Sequence, residues 1–222
     1  MYWNGFLLQL FLGTLTTIKL ALCATLLGLS VGLLGALLES IPFIWIRYPL
    51  ISFIFIIRSL PELLVLFFIY FGVTAILSQL FTHYVDINPF IAGTIALGCI
   101  FGAYASQVFR GAFLAIDPGQ IDAGAAIGFT PSQIFVRIKL PQAWRHALPG
   151  LSNLWLVLLK DTSIVSLIGL TDLMGQAKIA ASTTHEAFTF YLTAAGIYLF
   201  ITSLSQKILN FFTIRANRHI HL

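Results

Sequence analysis

Charged residues are scarce in this chain: twelve Lys and Arg and eight Asp and Glu among 222 residues, 9% in all, against 59% hydrophobic. Water-soluble domains carry about 25% charged residues. So few charges cannot cover a surface facing water, and lipid must solvate most of the fold. Cysteine is nearly absent. Cys23 and Cys99 both sit in apolar stretches, which excludes a disulfide framework and a thiolate metal site. No Gly-x-x-x-x-Gly-Lys-Ser/Thr run occurs, so the chain has no P-loop to cradle nucleotide phosphates. Paired carboxylates, a nucleophile motif and a ligand cluster at useful spacing are missing too, which argues against a membrane enzyme. The terminal His219-Ile220-His221 is too short for a metal site. There is no basic n-region, the first cation being Lys19 inside an apolar run. The first hydrophobic segment is therefore expected to be a retained span rather than a cleaved signal.

What is present is apolar length. A span needs about 20 mostly apolar residues. Residues 20–38, 90–109 and 187–205 meet this cleanly. Two further stretches carry charges: 49–77 holds Arg58 and Glu62, and 147–170 holds Lys160 and Asp161. Five spans put the termini on opposite sides. Arg47, Arg110, Arg137, Lys139, Arg145, Lys207, Arg215 and Arg218 fall on one side, and Lys178 on the other. The side rich in Lys and Arg is cytoplasmic, so the N-terminus is expected outside and the C-terminus inside. Topology accounts for the net charge of +4, and nucleic acid is not an expected partner. The connections near 82–88 and 171–186 are short and polar and would form the outer face. There is no room for a soluble domain.

The longest polar interval, 110–146, carries its own helix signals. Asp117-Pro118-Gly119-Gln120 and Thr130-Pro131-Ser132-Gln133 each read as an N-cap, Pro at the first helical position and a capping box. Gly128 stands where the first short helix should stop in a left-handed conformation. Pro141 starts or redirects a third segment. Ala123, Gly124, Ala125 and Ala126 leave much of the first helix small, so a partner's backbone could come close. Ile127 and Phe129 supply apolar knobs, and Arg137 and Lys139 a charged rim. The segment is either an amphipathic hairpin resting on lipid or a docking site.

Ionisable residues at membrane depth point to function. Lys160-Asp161-Thr162-Ser163 cannot pair internally, because adjacent helical residues do not face each other. They form either a structural pair buried between helices or, the favoured reading, a water-accessible path or gate, with Asn153 on the face of Lys160. In Arg58-Ser59-Leu60-Pro61-Glu62, Ser59 and Glu62 read as a capping box that starts a helix. Alternatively the broken start exposes Glu62 to a central cavity.

Asp122-Ala123-Gly124, three residues, Gly128, nine residues, then Ile138-Lys139-Leu140-Pro141 resembles the EAA loop of ABC importer permeases, with Asp122 for Glu and Gly124 for the second Ala. Arg58-Ser59-Leu60-Pro61-Glu62, Ala103-Tyr104, Phe109-Arg110-Gly111-Ala112, Leu159-Lys160-Asp161-Thr162-Ser163 and Ser166-Leu167-Ile168 are similar, in order, to signatures of the polar amino acid (histidine/glutamine) permeases. Residues 144–150 and 206–209 resemble arginine-carrying members. The resemblance implies an all-α, five-span type I permease fold over residues 13–210, with a cytoplasmic tail at 211–222. It implies a coupling helix at Asp122, Ala123, Gly124, Ala125, Gly128 and Phe129, with Arg137 and Pro141, entering a groove of an ATP-binding subunit. It implies a bacterial inner-membrane location, two ATPase subunits that bind the ATP, a second permease chain alike or related, and a periplasmic amino acid-binding protein. The chain itself would hold no cofactor.

Two acids at membrane depth, Glu62 and Asp161, with Phe67, Phe68, Tyr70 and Trp155 nearby in sequence, suit a cationic substrate. Lys160 and Arg58 partly offset them. With the resemblance, this favours arginine or a basic analogue. The competing class is an ion-gradient transporter or channel in which Asp161 or Glu62 titrates. It would need no docking loop.

Overall fold

The computed structural model describes residues 3–81, 83 and 85–217, and every element among them is helical. Five stretches are long and apolar enough to cross a membrane: Gly5–Glu39, Glu62–Leu80, Pro89–Leu114, Pro131–Ile168 and Ala187–Ala216. The number matches the sequence expectation, but the boundaries differ.

The first helix, α1, runs Trp3–Glu39, so the expected span 20–38 is only its second half. The stretch expected as one span over 49–77 is two helices, α2 at Ile44–Ser59 and α3 at Glu62–Leu80. Pro61 has no N–H to continue the ladder and disfavours helical geometry at the residue before it. Leu60 accordingly adopts φ −85°, ψ 143°. The capping box at Ser59 and Glu62 does not form. Ser59 Oγ donates instead to the Phe55 carbonyl at 2.8 Å, within the turn it ends.

The third span, α4, is Pro89–Leu114, and Asn88 caps it by accepting from Phe90 N–H at 2.8 Å. Short helices α5, Pro118–Ala126, and α6, Pro131–Ile134, follow. A π-helical turn at Phe135–Lys139 then leads into α7, Leu140–Asp161. Pro141 explains the wide turn, since it cannot donate to the preceding turn and its ring crowds the carbonyl there. From Thr162 to Ile168 the backbone tightens into a 3₁₀ helix. The last helix, α9, runs Ala187–Asn217, past the expected tail boundary at 210 without a break. His219 and His221 lie outside the described residues, as do Thr82 and Tyr84 of one connection expected on the outer face.

The other connection, expected as a short polar loop over 171–186, contains a helix, α8, at Leu173–Thr184. Its inner face is small and apolar, with Leu173, Ala177 and Ala180 buried. Asp172 caps it by accepting from Gly175 N–H at 2.9 Å, and Leu173 N–H donates to Thr17 Oγ on α1 at 3.1 Å. The polar letters that suggested a loop are the cap and the outer face.

The most extensive seam joins α1 to α4. A Cβ at Gly32 would lie 2.7 Å from the Ala105 Cβ and 3.0 Å from the Gly102 carbonyl oxygen. A Cβ at Gly28 would lie 2.9 Å from the Gly98 carbonyl oxygen. Small residues let helices approach where lipid supplies no hydrophobic drive between them. Gly32→Val should therefore destabilise the solubilised protein by about 1–3 kcal/mol, the usual cost of overpacking. Gly72→Ala, with open space around its Cβ, should leave stability unchanged or raise it. Thermal unfolding in detergent, with both variants in parallel, checks this.

Candidate functional site

The residue that follows the break at Leu60-Pro61, Glu62, and the one that precedes the 3₁₀ tightening, Asp161, line one cavity. It encloses about 310 Å³, and its polar lining is Glu62, Tyr104, Asn153 and Asp161. Glu62 enters from the first turn of α3, and Asp161 from the last residue of α7. Asn153 lies two turns earlier on the same face of α7, with Leu154, Val157 and Leu158 completing that wall. Phe101 and Tyr104 line it from α4. The two carboxylates line the same cavity.

Tyr104 closes the break chemically. A continuous helix would have used the Arg58 carbonyl within its own ladder. With Pro61 in the way, that carbonyl accepts from Tyr104 Oη at 3.3 Å. The Arg58 guanidinium lies over the Tyr104 ring, 5.1 Å from its centroid, a cation–π contact at the edge of the cavity.

Of the residues singled out for a path or gate, the structure brings Glu62, Asn153 and Asp161 together and places Arg58 beside them through Tyr104. Lys160 is exposed and does not line the cavity, so Asn153 shares its working face with Asp161 rather than Lys160. Thr162 is buried and donates to the Leu159 carbonyl at 2.8 Å. Ser163 lends its carbonyl to Ser166 Oγ at 2.7 Å. Both support the 3₁₀ turn. The aromatic lining is Phe101 and Tyr104, not Phe67, Phe68, Tyr70 or Trp155. Tyr70 Oη instead donates to Asp86 Oδ1 at 3.2 Å. The aromatics nearest in sequence lie on other faces of their helices, a registry that sequence proximity does not reveal.

The polar interval folds much as its caps dictate. Asp117 accepts from Gly119 N–H at 2.7 Å, but Gln120 does not complete a box and bonds Gln142 instead. At Thr130 the reciprocal box is complete. Gly128 takes φ +87°. Its N–H donates to the Ala125 carbonyl at 3.0 Å, and Phe129 N–H to the Gly124 carbonyl at 3.0 Å. That pair of bonds is the Schellman termination.

Asp122, Ala123, Ala125, Ala126 and Ile127 face outward, and Ile127 is 72% exposed. Gly124 is buried against the chain itself, where a Cβ would lie 2.7 Å from Ile138 Cδ1. Phe129 is half-buried beneath the Arg137 guanidinium, 5.6 Å from ring centroid to Cζ. Pro141 is exposed at the start of α7. The loop is thus a rigid hairpin presenting a small-residue helix with one large apolar knob.

Sequence reasoning missed Glu39. It is the last residue of α1, and its side chain is 1% exposed. Gln107 Nε2 donates to Glu39 Oε1 at 2.9 Å, Ser106 Oγ to the same oxygen at 3.3 Å, and Arg110 Nη1 to Oε2 at 3.3 Å. The signal was present: Gly28, Gly32, Gly35 and Glu39 follow helical spacing and share one face of α1.

Comparison with known proteins agrees with this architecture. Residues 24–215 match the family described as binding-protein-dependent transport system inner membrane component. The arginine ABC transporter permease protein ArtQ of Haemophilus influenzae is 48% identical, covering 91% of each chain. The histidine/lysine/arginine/ornithine transport system permease protein HisQ of Escherichia coli (strain K12) is 37% identical, covering 94% of this chain and 92% of HisQ. Among solved structures, the crystal structure of an amino acid ABC transporter with histidines superposes with a TM-score of 0.84 at 33% identity, covering 96% of each chain. The chain belongs to the family of inner membrane components of binding-protein-dependent transport systems, as an ABC importer permease whose ATPase is a separate subunit.

Proposed function

We propose that this chain is the membrane-spanning subunit of an ATP-driven importer of arginine or a closely related basic amino acid. The carrying observation is the cavity in which Glu62 and Asp161 stand together with Asn153, Phe101 and Tyr104. A zwitterion with a cationic side chain has one net positive charge at neutral pH. Two carboxylates lining one cavity gain from a cation that enters it, and aromatic faces add to that gain. Asn153 can hydrogen-bond either end of the amino acid. Arg58 sits outside this lining, over Tyr104, where it tempers the negative field without filling the cavity. Two of the relatives described above are named for arginine, which accords with this chemistry.

In this reading the hairpin 117–141 is the coupling element. Its exposed face, Asp122, Ala123, Ala125, Ala126 and Ile127, enters a groove of an ATPase subunit, with Arg137 at the rim. Closure of two ATPase subunits on ATP displaces the hairpins of this chain and of a second permease chain, and access to the cavity alternates. A periplasmic binding protein delivers the amino acid. The N-terminus is then periplasmic and the C-terminus cytoplasmic. That orientation gathers Arg110, Arg137, Arg145 and Arg215 on the cytoplasmic side. The chain binds no cofactor, and ATP belongs to the partner subunits. An ion-gradient transporter would have no use for the docking face.

Two outcomes are expected. In vesicles holding the full complex, unlabelled arginine, lysine and ornithine should compete for uptake, and glutamate and glutamine should not. Asp161→Asn should lower arginine uptake about tenfold, the scale of one lost charge-assisted contact, at unchanged levels of assembled complex. Competition by glutamine alone, or an Asp161→Asn complex that fails to assemble, would contradict the substrate assignment. Separately, Gly128→Trp adds bulk to the docking face and strains a left-handed residue. It should abolish binding-protein-stimulated ATPase and uptake together while leaving membrane insertion intact. Normal coupled uptake in that variant would remove the docking role.

A further inference from the structure

We propose that Glu39 latches α1 to α4 at the docking-loop end, so that the pair moves as one lever and carries the loop's displacement to α8 at the opposite end. This rests on the coupling role assigned to the hairpin. A carboxylate at a helix C-terminus meets the negative end of the macrodipole, and burying it adds a desolvation penalty. Glu39 bears both burdens, and three donors from α4 offset them: Ser106, Gln107 and Arg110. Adhesion does not require this arrangement. The Gly28, Gly32 and Gly98, Gly102 seam already holds the helices at close range. A stretch of small residues leaves sliding along the seam weakly opposed, however, and a buried ionic cluster fixes register. Arg110 stands in the last turns of α4, just before Asp117 caps α5, so the latch sits where the hairpin's motion enters the helices.

The far half of α1 has a fixed attachment as well. Thr17 Oγ accepts from Leu173 N–H at 3.1 Å, and a Cβ at Gly13 would lie 2.8 Å from the Asp172 carbonyl oxygen. Asp172 is fully buried and caps α8. One continuous helix therefore joins the loop end of α4 to α8, whose buried face packs against Phe190 and Ala194 of α9. The wall of the cavity formed by Phe101 and Tyr104 belongs to α4 and would travel with it. Glu39 and Arg110 touch neither substrate nor nucleotide in this scheme and act as positioning residues.

The test uses the whole complex in proteoliposomes, with Cys23 and Cys99 replaced by Ala. A Leu27→Cys, Gly98→Cys pair bridges the seam away from the latch, since a Cβ at Gly98 would lie 3.2 Å from the Leu27 Cβ. Because α1 and α4 do not move relative to each other, the oxidised complex should import arginine at the rate of the same complex reduced. Arrest of import on oxidation, reversed by reduction, overturns the proposal whatever the fate of other variants. In the native background, Arg110→Gln should lower arginine imported per ATP hydrolysed about tenfold, and Arg110→Lys should retain most of it. If both variants behave alike, or only the amount of complex falls at an unchanged ratio, the latch is a structural tie and the proposal fails. Failure of the docking reading itself would appear in Gly128→Trp, which leaves this latch intact.

Discussion

Inside hydrocarbon, every backbone N–H and C=O must find its partner within the protein. That constraint orders the whole structure. It makes each span helical and confines irregular backbone to places where protein or a polar cavity can satisfy it. Among the described residues, two such irregularities adjoin the carboxylates of the cavity, Leu60-Pro61 and Thr162–Ile168. The first is closed by Tyr104 on the Arg58 carbonyl, and the second by Thr162 and Ser166 hydroxyls on carbonyls three residues back. Both flank the cavity holding Glu62 and Asp161. The broken backbone and the charged site are one feature: the cavity satisfies the break, and the break delivers the carboxylates to the cavity.

The same scarcity of water shapes the packing. Lipid provides no hydrophobic drive for helix association, so the α1–α4 seam depends on close approach through glycine. Polar groups then set register along α1, Glu39 with Ser106, Gln107 and Arg110 of α4 at one end and Thr17 with Leu173 N–H of α8 in the other half. Outside the membrane the logic changes. The hairpin 117–141 is held by caps, a Schellman turn and the packing of Gly124 on Ile138, and it leaves a small-residue face bare.

Local signals were legible in the sequence, and registry was not. The five apolar stretches, the Thr130 box and the left-handed Gly128 follow from rules acting within a few residues. Pro61 announced a break. The proposed cap at Ser59 failed because its hydroxyl had a nearer acceptor on its own turn. Helix α8 was hidden because Asp172 and its neighbours are the letters of both a loop and a helix start. Lys160 and Asp161 could be called separate, but only the tightening after Asp161 shows which one faces the cavity. Spacing alone put Glu39 on the glycine face of α1, but its three partners lie on a helix far along the chain and were not legible.

The central claim is that the cavity between α3, α4 and α7 is where a cationic amino acid crosses. Asn153 lines it without carrying charge, so Asn153→Cys in a background lacking Cys23 and Cys99 gives a direct probe. The account predicts that a membrane-impermeant thiol reagent modifies this cysteine in the assembled complex and that arginine slows the modification. A cysteine that never reacts in any nucleotide state, or one that reacts equally fast with and without arginine, would contradict it.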